Sequence, residues 1–87
     1  MVLELTIIPI GYEQSISSDI AGLVKIIEAS GLDYRMTAFG TLVEGTWDQL
    51  MSLAKECHFE VRKKSARVLS MMRLVDYGER TGEMEGA

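Results

Sequence analysis

Between Thr41 and Gln49 the chain changes its structural period within a few residues. Thr41-Leu42-Val43-Glu44 is a short apolar strand, Gly45 follows, and Thr46-Trp47-Asp48-Gln49 matches a capping box. In that motif the Thr side chain bonds a backbone N–H three residues on and the Gln side chain returns the bond. A strand must therefore hand over to a helix at Trp47, with one carboxylate, Glu44, set against the joint. A Glu held in so apolar a strand has to be paired, protonated or used.

The remaining elements are read outward from this joint. Leu3 to Ile10 is a strand with Leu3, Leu5 and Ile7 on one face and Glu4, Thr6, Ile8 and Ile10 on the other; Pro9 near its end is tolerated at an edge or terminus. Gly11 to Ser15 is a polar loop. Ser17 or Ser18 caps a helix with Asp19 in its first turn, and Ile20, Leu23, Val24 and Ile27 make its apolar stripe. Gly31 supplies the left-handed residue that stops it. Tyr34 to Phe39 and Thr41 to Glu44 are strand-like runs divided by Gly40, either a hairpin or a bulged, sharply bent pair. From Trp47 to about residue 64, Leu50, Met51, Ala54, Cys57, His58 and Val61 keep the helical period, and Arg67 to Tyr77 is a last strand.

The order β-α-β-β-α-β specifies an α+β fold, the ferredoxin-like split βαβ plan: a four-stranded antiparallel sheet with both helices on one face. The other face stays uncovered. In the last strand Val68, Met72 and Leu74 alternate with Leu69, Met71 and Val75, so both faces are largely apolar where a solvated face should read polar. Self-association through the sheet faces, as a dimer or a tetramer, is the expected way to cover it. Residues 1–77 form the domain. Gly78 to Ala87, glycine-rich and acidic, is expected to fray.

At 87 residues the chain is one small domain that buries roughly 60–65% of its unfolded surface. Its net charge of -4 disfavours nucleic acid and anionic lipid partners. The basic run Arg62 to Arg67 complements a helix C-terminus, or else receives an anionic ligand or acidic partner. No apolar run approaches the ~20 residues that cross a bilayer, and a single Cys57 forms no internal disulfide; the expected compartment is the cytoplasm.

Chemistry-bearing residues are few. Glu44 either ends its strand with its head group in water, or hydrogen-bonds a ring nitrogen or an exocyclic amino group of a flat heterocycle, or neutralises a nearby cation. Ser15 and Ser17 lie where hydroxyls and free backbone N–H groups meet polar ligands, or serve as plain caps. Phe39, close to Thr41, can stack on a flat ring. Tyr34 and Trp47 read as packing residues. Cys57 and His58 are adjacent in a helix, point about 100° apart and cannot converge on one atom. No second His exists for a metal site, and neither Walker nor dinucleotide spacing occurs.

Three segments together, Ile8-Pro9-Ile10-Gly11, Ile26 to Tyr34 and Thr41 to Trp47, resemble the small thiamine-binding protein family, the YkoF-like group of single ferredoxin-like domains. The resemblance runs from about residue 3 to residue 77. It implies a non-enzymatic, oligomeric protein that holds thiamine or its hydroxymethylpyrimidine moiety, with no cofactor of its own. By match it places Thr41 and Glu44 at the ligand pocket, polar contacts at Ser15 and Ser17, and Ile8 and Pro9 as walls. The rival readings are an oligomeric regulatory sensor for another metabolite at subunit interfaces, an enzyme with Glu44 as general base, and a purely structural interaction module.

Overall fold

The computed structural model describes residues 1–11 and 17–78, and of residues 17–20 the backbone alone. Its elements are β1 (Val2–Ile10), α1 (Ser17–Ala29), β2 (Asp33–Thr37), β3 (Gly40–Glu44), α2 (Trp47–Arg62) and β4 (Arg67–Val75). The expected order is therefore the observed one. Every adjacent pair in the sheet, ordered β2-β3-β1-β4, is antiparallel. Since β3 lies between β1 and β2, and β1 between β3 and β4, two split βαβ units interlock, which is the ferredoxin-like plan.

Local chemistry sets the element boundaries. The capping box is present as read: Gln49 N donates to Thr46 Oγ1 at 3.3 Å and Thr46 N to Gln49 Oε1 at 3.0 Å. Gly31, at φ 74°, ends α1 in the left-handed conformation that glycine adopts without steric cost. The break at Gly40 resolves as a hairpin, with Ala38 and Phe39 as its turn. A Cβ on Gly40, whose φ is 152°, would lie 2.5 Å from Thr6 Oγ1 and 3.0 Å from the Leu5 carbonyl oxygen, so only glycine lets β1 and the hairpin close. After α2, Arg62 Nη1 donates to the Ser65 carbonyl at 3.1 Å, which gives one member of the basic run its helix-terminal role.

Directly opposed residues in antiparallel strands share a face. Leu3, Leu5 and Ile7 of β1 therefore lie with Thr41 and Val43 of β3, Tyr34 and Met36 of β2, and Ser70, Met72 and Leu74 of β4. That face meets the helices. Leu3, Leu5, Val43, Ile27, Leu50, Leu53, Ala54 and Cys57 form one buried cluster, and α2 contributes the i, i+3, i+4 stripe that its spacing demanded. Each fully buried Leu or Val contributes roughly 1.5–3 kcal/mol of transfer free energy. The opposite face carries Val2, Glu4, Thr6, Ile8 and Ile10 beside Leu42, Glu44, Leu69, Met71, Arg73 and Val75. Ile8, Ile10, Leu69 and Met71 are all 40–46% exposed there. Trp47, read as a packing residue, is 53% exposed at the first turn of α2. Among the described residues no helix is long and apolar enough to cross a membrane.

Candidate functional site

The hairpin is shorter than the strand beside it. β3 pairs with β1 only as far as Leu5 and Thr41, while β1 continues to Ile10 along β4. The step leaves a cleft of about 210 Å³ on the helix side of the sheet. Leu5 and Ile7 of β1, Met36 and Thr41 of the hairpin, Leu23, Val24 and Ile27 of α1, and Cys57 of α2 line it. The ladder also explains Pro9. Gly45 N donates to the Met1 carbonyl at 3.1 Å, so odd-numbered β1 residues aim their backbone groups at β3. At residue 9 β3 has already ended, and the missing N–H of proline costs no ladder bond.

Most polar groups around the cleft are already committed. Thr6 Oγ1 donates to the Phe39 carbonyl at 2.9 Å. Thr37 Oγ1 donates to the Gly40 carbonyl at 2.7 Å and accepts from Phe39 N at 3.1 Å and Gly40 N at 3.2 Å. Thr41 differs. The residue is 9% exposed, and among the described residues its hydroxyl meets only the Met36 sulfur, at 3.4 Å. A thioether is a weak acceptor, so Thr41 keeps hydrogen-bonding capacity that a ligand can use. Beneath it, burial, followed by the nearby Glu56 and Glu60 charges, pushes the Cys57 thiol up to about 11. Cys57 is a neutral, fully buried thiol at neutral pH, not a nucleophile.

The other expected site residues do not join Thr41. Glu44 is three residues along the same strand, roughly 10 Å away at the usual rise, and lies on the open face opposite Val2 and Asp33. Thr41 and Glu44 therefore face opposite sides of the sheet, and within one chain they do not converge on a single ring. Phe39 sits on the hairpin tip, 83% exposed, outside the cleft lining. Ile8 belongs to the open face, and Pro9 is half-buried on the helix-side row opposite Val68. Ser15 and the side chain of Ser17 lie outside the described residues. His58 turns away from Cys57, as its helical position required, and its Nδ1 lies 2.6 Å from Ser70 Oγ. No group of three or more potential metal ligands occurs among the described residues.

Two features escaped the sequence reading. The cleft walls on α1 and α2 were legible only as core stripe. On the open face, Arg73 donates through Nε (2.8 Å) and pairs through Nη2 (2.7 Å) with Glu4 Oε1, beside a depression of about 350 Å³ lined also by Val2, Leu42, Val75 and Tyr77. The signal for the first was present: Thr41 shares its strand parity with Val43, which makes it a hydroxyl in a core row.

A family model described as thiamine-binding protein matches residues 3–87. The chain belongs to this family. It is 34% identical over 82 residues to the UPF0045 protein sll0230 of Synechocystis sp., covering 93% of this chain and 65% of that relative, so the chain spans just under two thirds of that protein's length. The UPF0045 protein ECM15 of Eremothecium gossypii is 32% identical over 88 residues, with 99% and 81% covered. In structure, protein MJ1052 of Methanocaldococcus jannaschii superposes with TM-score 0.83 at 28% identity, covering 97% of this chain and 89% of its own. A Thermotoga maritima protein provisionally assigned to thiamine biosynthesis or salvage superposes with TM-score 0.79 over 97% and 91%, and at 19% identity it speaks for the fold alone.

Proposed function

We propose that this protein binds thiamine, or its hydroxymethylpyrimidine half, without turnover, in the cleft that ends at Thr41. The observation that carries the reading is a nearly buried hydroxyl with only a thioether partner, set in an otherwise apolar cleft of a thiamine-binding family member. Size narrows it further. An apolar cavity of about 150 Å³ holds a benzene ring, so a cleft of about 210 Å³ has room for one six-membered heteroaromatic ring. The pyrimidine enters and the rest of the ligand stays at the mouth. Calorimetric titration of thiamine and of hydroxymethylpyrimidine tests this. Thr41→Val should weaken both by about fivefold, near 1 kcal/mol for one neutral hydrogen bond. If Thr41→Val binds normally while Glu44→Gln loses about ten- to a hundredfold, the ligand sits on the open face and the cleft is the wrong site.

The same reading includes assembly through the open face. Ile8, Ile10, Leu69 and Met71 make an apolar patch, and charges of both signs, Glu4, Arg67 and Arg73, lie beside it. A second copy, carrying the same mixture, is the natural cover for such a surface. The rival sensor reading has one observation in its favour: the depression at Glu4, Arg73 and Tyr77 lies on this face, where a subunit interface would enclose it.

A further inference from the structure

Five of the six methionines lie among the described residues, and their sulfurs stand in different surroundings. Met1 and Met51 pack against the core cluster. Met71 and Met72 on β4 are half-exposed, and no polar group bonds either sulfur. Met36 is as exposed as these, yet its sulfur accepts the Thr41 hydroxyl at 3.4 Å. It stands directly opposite Thr41 on β2, a strand at the edge of the sheet, and it lines the cleft. A thioether within reach of solvent therefore holds the one cleft hydroxyl that has bonding capacity to spare.

We propose that Met36 is a reversible oxidation site: as the sulfoxide it takes the Thr41 hydroxyl for itself and closes the cleft to a ligand. A peroxide supplies the oxygen. The sulfur lone pair attacks one peroxide oxygen, and the S–O bond forms as the O–O bond breaks. The departing oxygen takes the proton of the transferred one and leaves as water. Sulfur gives up two electrons, and the peroxide is reduced by them.

Oxidation turns a flexible apolar side chain into a polar one whose oxygen is a far better acceptor than sulfur. Bonded to a sulfur that already lies against Thr41, this oxygen needs only a small adjustment to reach the roughly 2.7–2.8 Å of an O–H···O bond, and the three rotatable bonds of methionine supply it. Thr41 is then paired within the chain. Closure to a ligand rests on the cleft being the binding site, as proposed above; capture of the hydroxyl does not. Met36 lies on the helix-side row, so a cover over the open face leaves it accessible, both to peroxide and to the sulfoxide reductases that reverse the change.

Hydrogen peroxide treatment of the full chain, followed by peptide mass spectrometry, identifies which methionines react. Cys57 is fully buried and should be spared. Denaturation of treated and untreated protein, as wild type and Thr41→Val, measures the captured bond without any ligand. Treatment should raise the unfolding constant about fivefold more in Thr41→Val than in wild type, because only wild type gains a hydrogen bond to the new oxygen. Oxidation of Met71 and Met72 is common to both and cancels. Titration of hydroxymethylpyrimidine should show treated wild type binding about fivefold more weakly, with recovery after methionine sulfoxide reductase. In Thr41→Val treatment should cost less than about twofold, since the hydroxyl is already absent, and in Met36→Leu it should leave the affinity at its untreated value. A Met36 peptide that stays unoxidised while Met72 reacts overturns the inference, and so does an equal change of the unfolding constant in wild type and Thr41→Val. A fivefold loss of affinity on treatment of Met36→Leu would assign the effect to another methionine and overturn the closure. If untreated wild type does not bind the pyrimidine, the function proposed above fails, and the denaturation comparison still decides whether oxidised Met36 holds Thr41.

Discussion

The two faces of this sheet are made from the same kinds of residue and differ in what covers them. On the helix side Leu3 and Val43 are wholly buried; on the other, Leu69 and Met71 remain nearly half exposed. Both rows are aliphatic because both are meant to be dry, one within the chain and the other, on the reading above, between chains. The comparison teaches that apolar alternation reports burial without saying whose atoms provide it. It also separates the two strongest site residues, since Thr41 lies on the helix-covered side and Glu44 on the open one.

Truncation should expose this difference most strongly. Leu3→Ala removes a wholly buried side chain and should cost about 2–5 kcal/mol of unfolding free energy at any protein concentration. Leu69→Ala should cost less than about 1 kcal/mol in dilute solution and more as concentration rises, because its burial comes with assembly. Denaturation at two protein concentrations, with sedimentation to follow assembly, checks both. Equal, concentration-independent losses would erase the distinction between the faces.

The covered face should also show an alkaline signature. The Cys57 thiol is held at about 11, above its ordinary value of 9.0, so the folded state keeps its proton where the unfolded state releases it. The stabilisation is complete below pH 9 and is lost as pH rises through 9 to 11, since the folded state then binds more protons than the unfolded one. Cys57→Ser should flatten stability across that window. An unchanged slope in Cys57→Ser would assign the alkaline loss elsewhere.

The smallest effect belongs to the open face. The Glu4–Arg73 pair has a guanidinium 78% exposed, so Glu4→Gln should change monomer stability by about 0–1 kcal/mol, less at high salt. Its larger readout should be a salt-dependent shift in self-association, measured by sedimentation. A salt-independent loss above about 2 kcal/mol would mean that the pair is desolvated within a single chain.

Much of the fold was legible because its signals are local. The capping box at Thr46, the left-handed Gly31, and the stripe from Leu50 to Val61 each depend on neighbours within a few residues, and each is present. The parity that divides Thr41 from Glu44 was equally readable, since residues three apart on a strand face opposite ways; the motif's compactness in the sequence concealed it. The family also follows from the residues.

The cleft was decided by tertiary structure. It exists because β3 stops at Gly40 while β1 continues, because Gly40 lets the hairpin close against Thr6, and because α1 and α2 bring Ile27 and Cys57 over Met36 and Thr41. None of these contacts is periodic within one segment. Long-range pairing sets which strand ends first, and that step alone turns core residues into the walls of a site. By itself the sequence determined the order of elements, their caps and their apolar rows, because those follow from short-range sterics and hydrogen bonds. Which row the helices cover, and where the covering stops, depended on how the whole chain closes around its core.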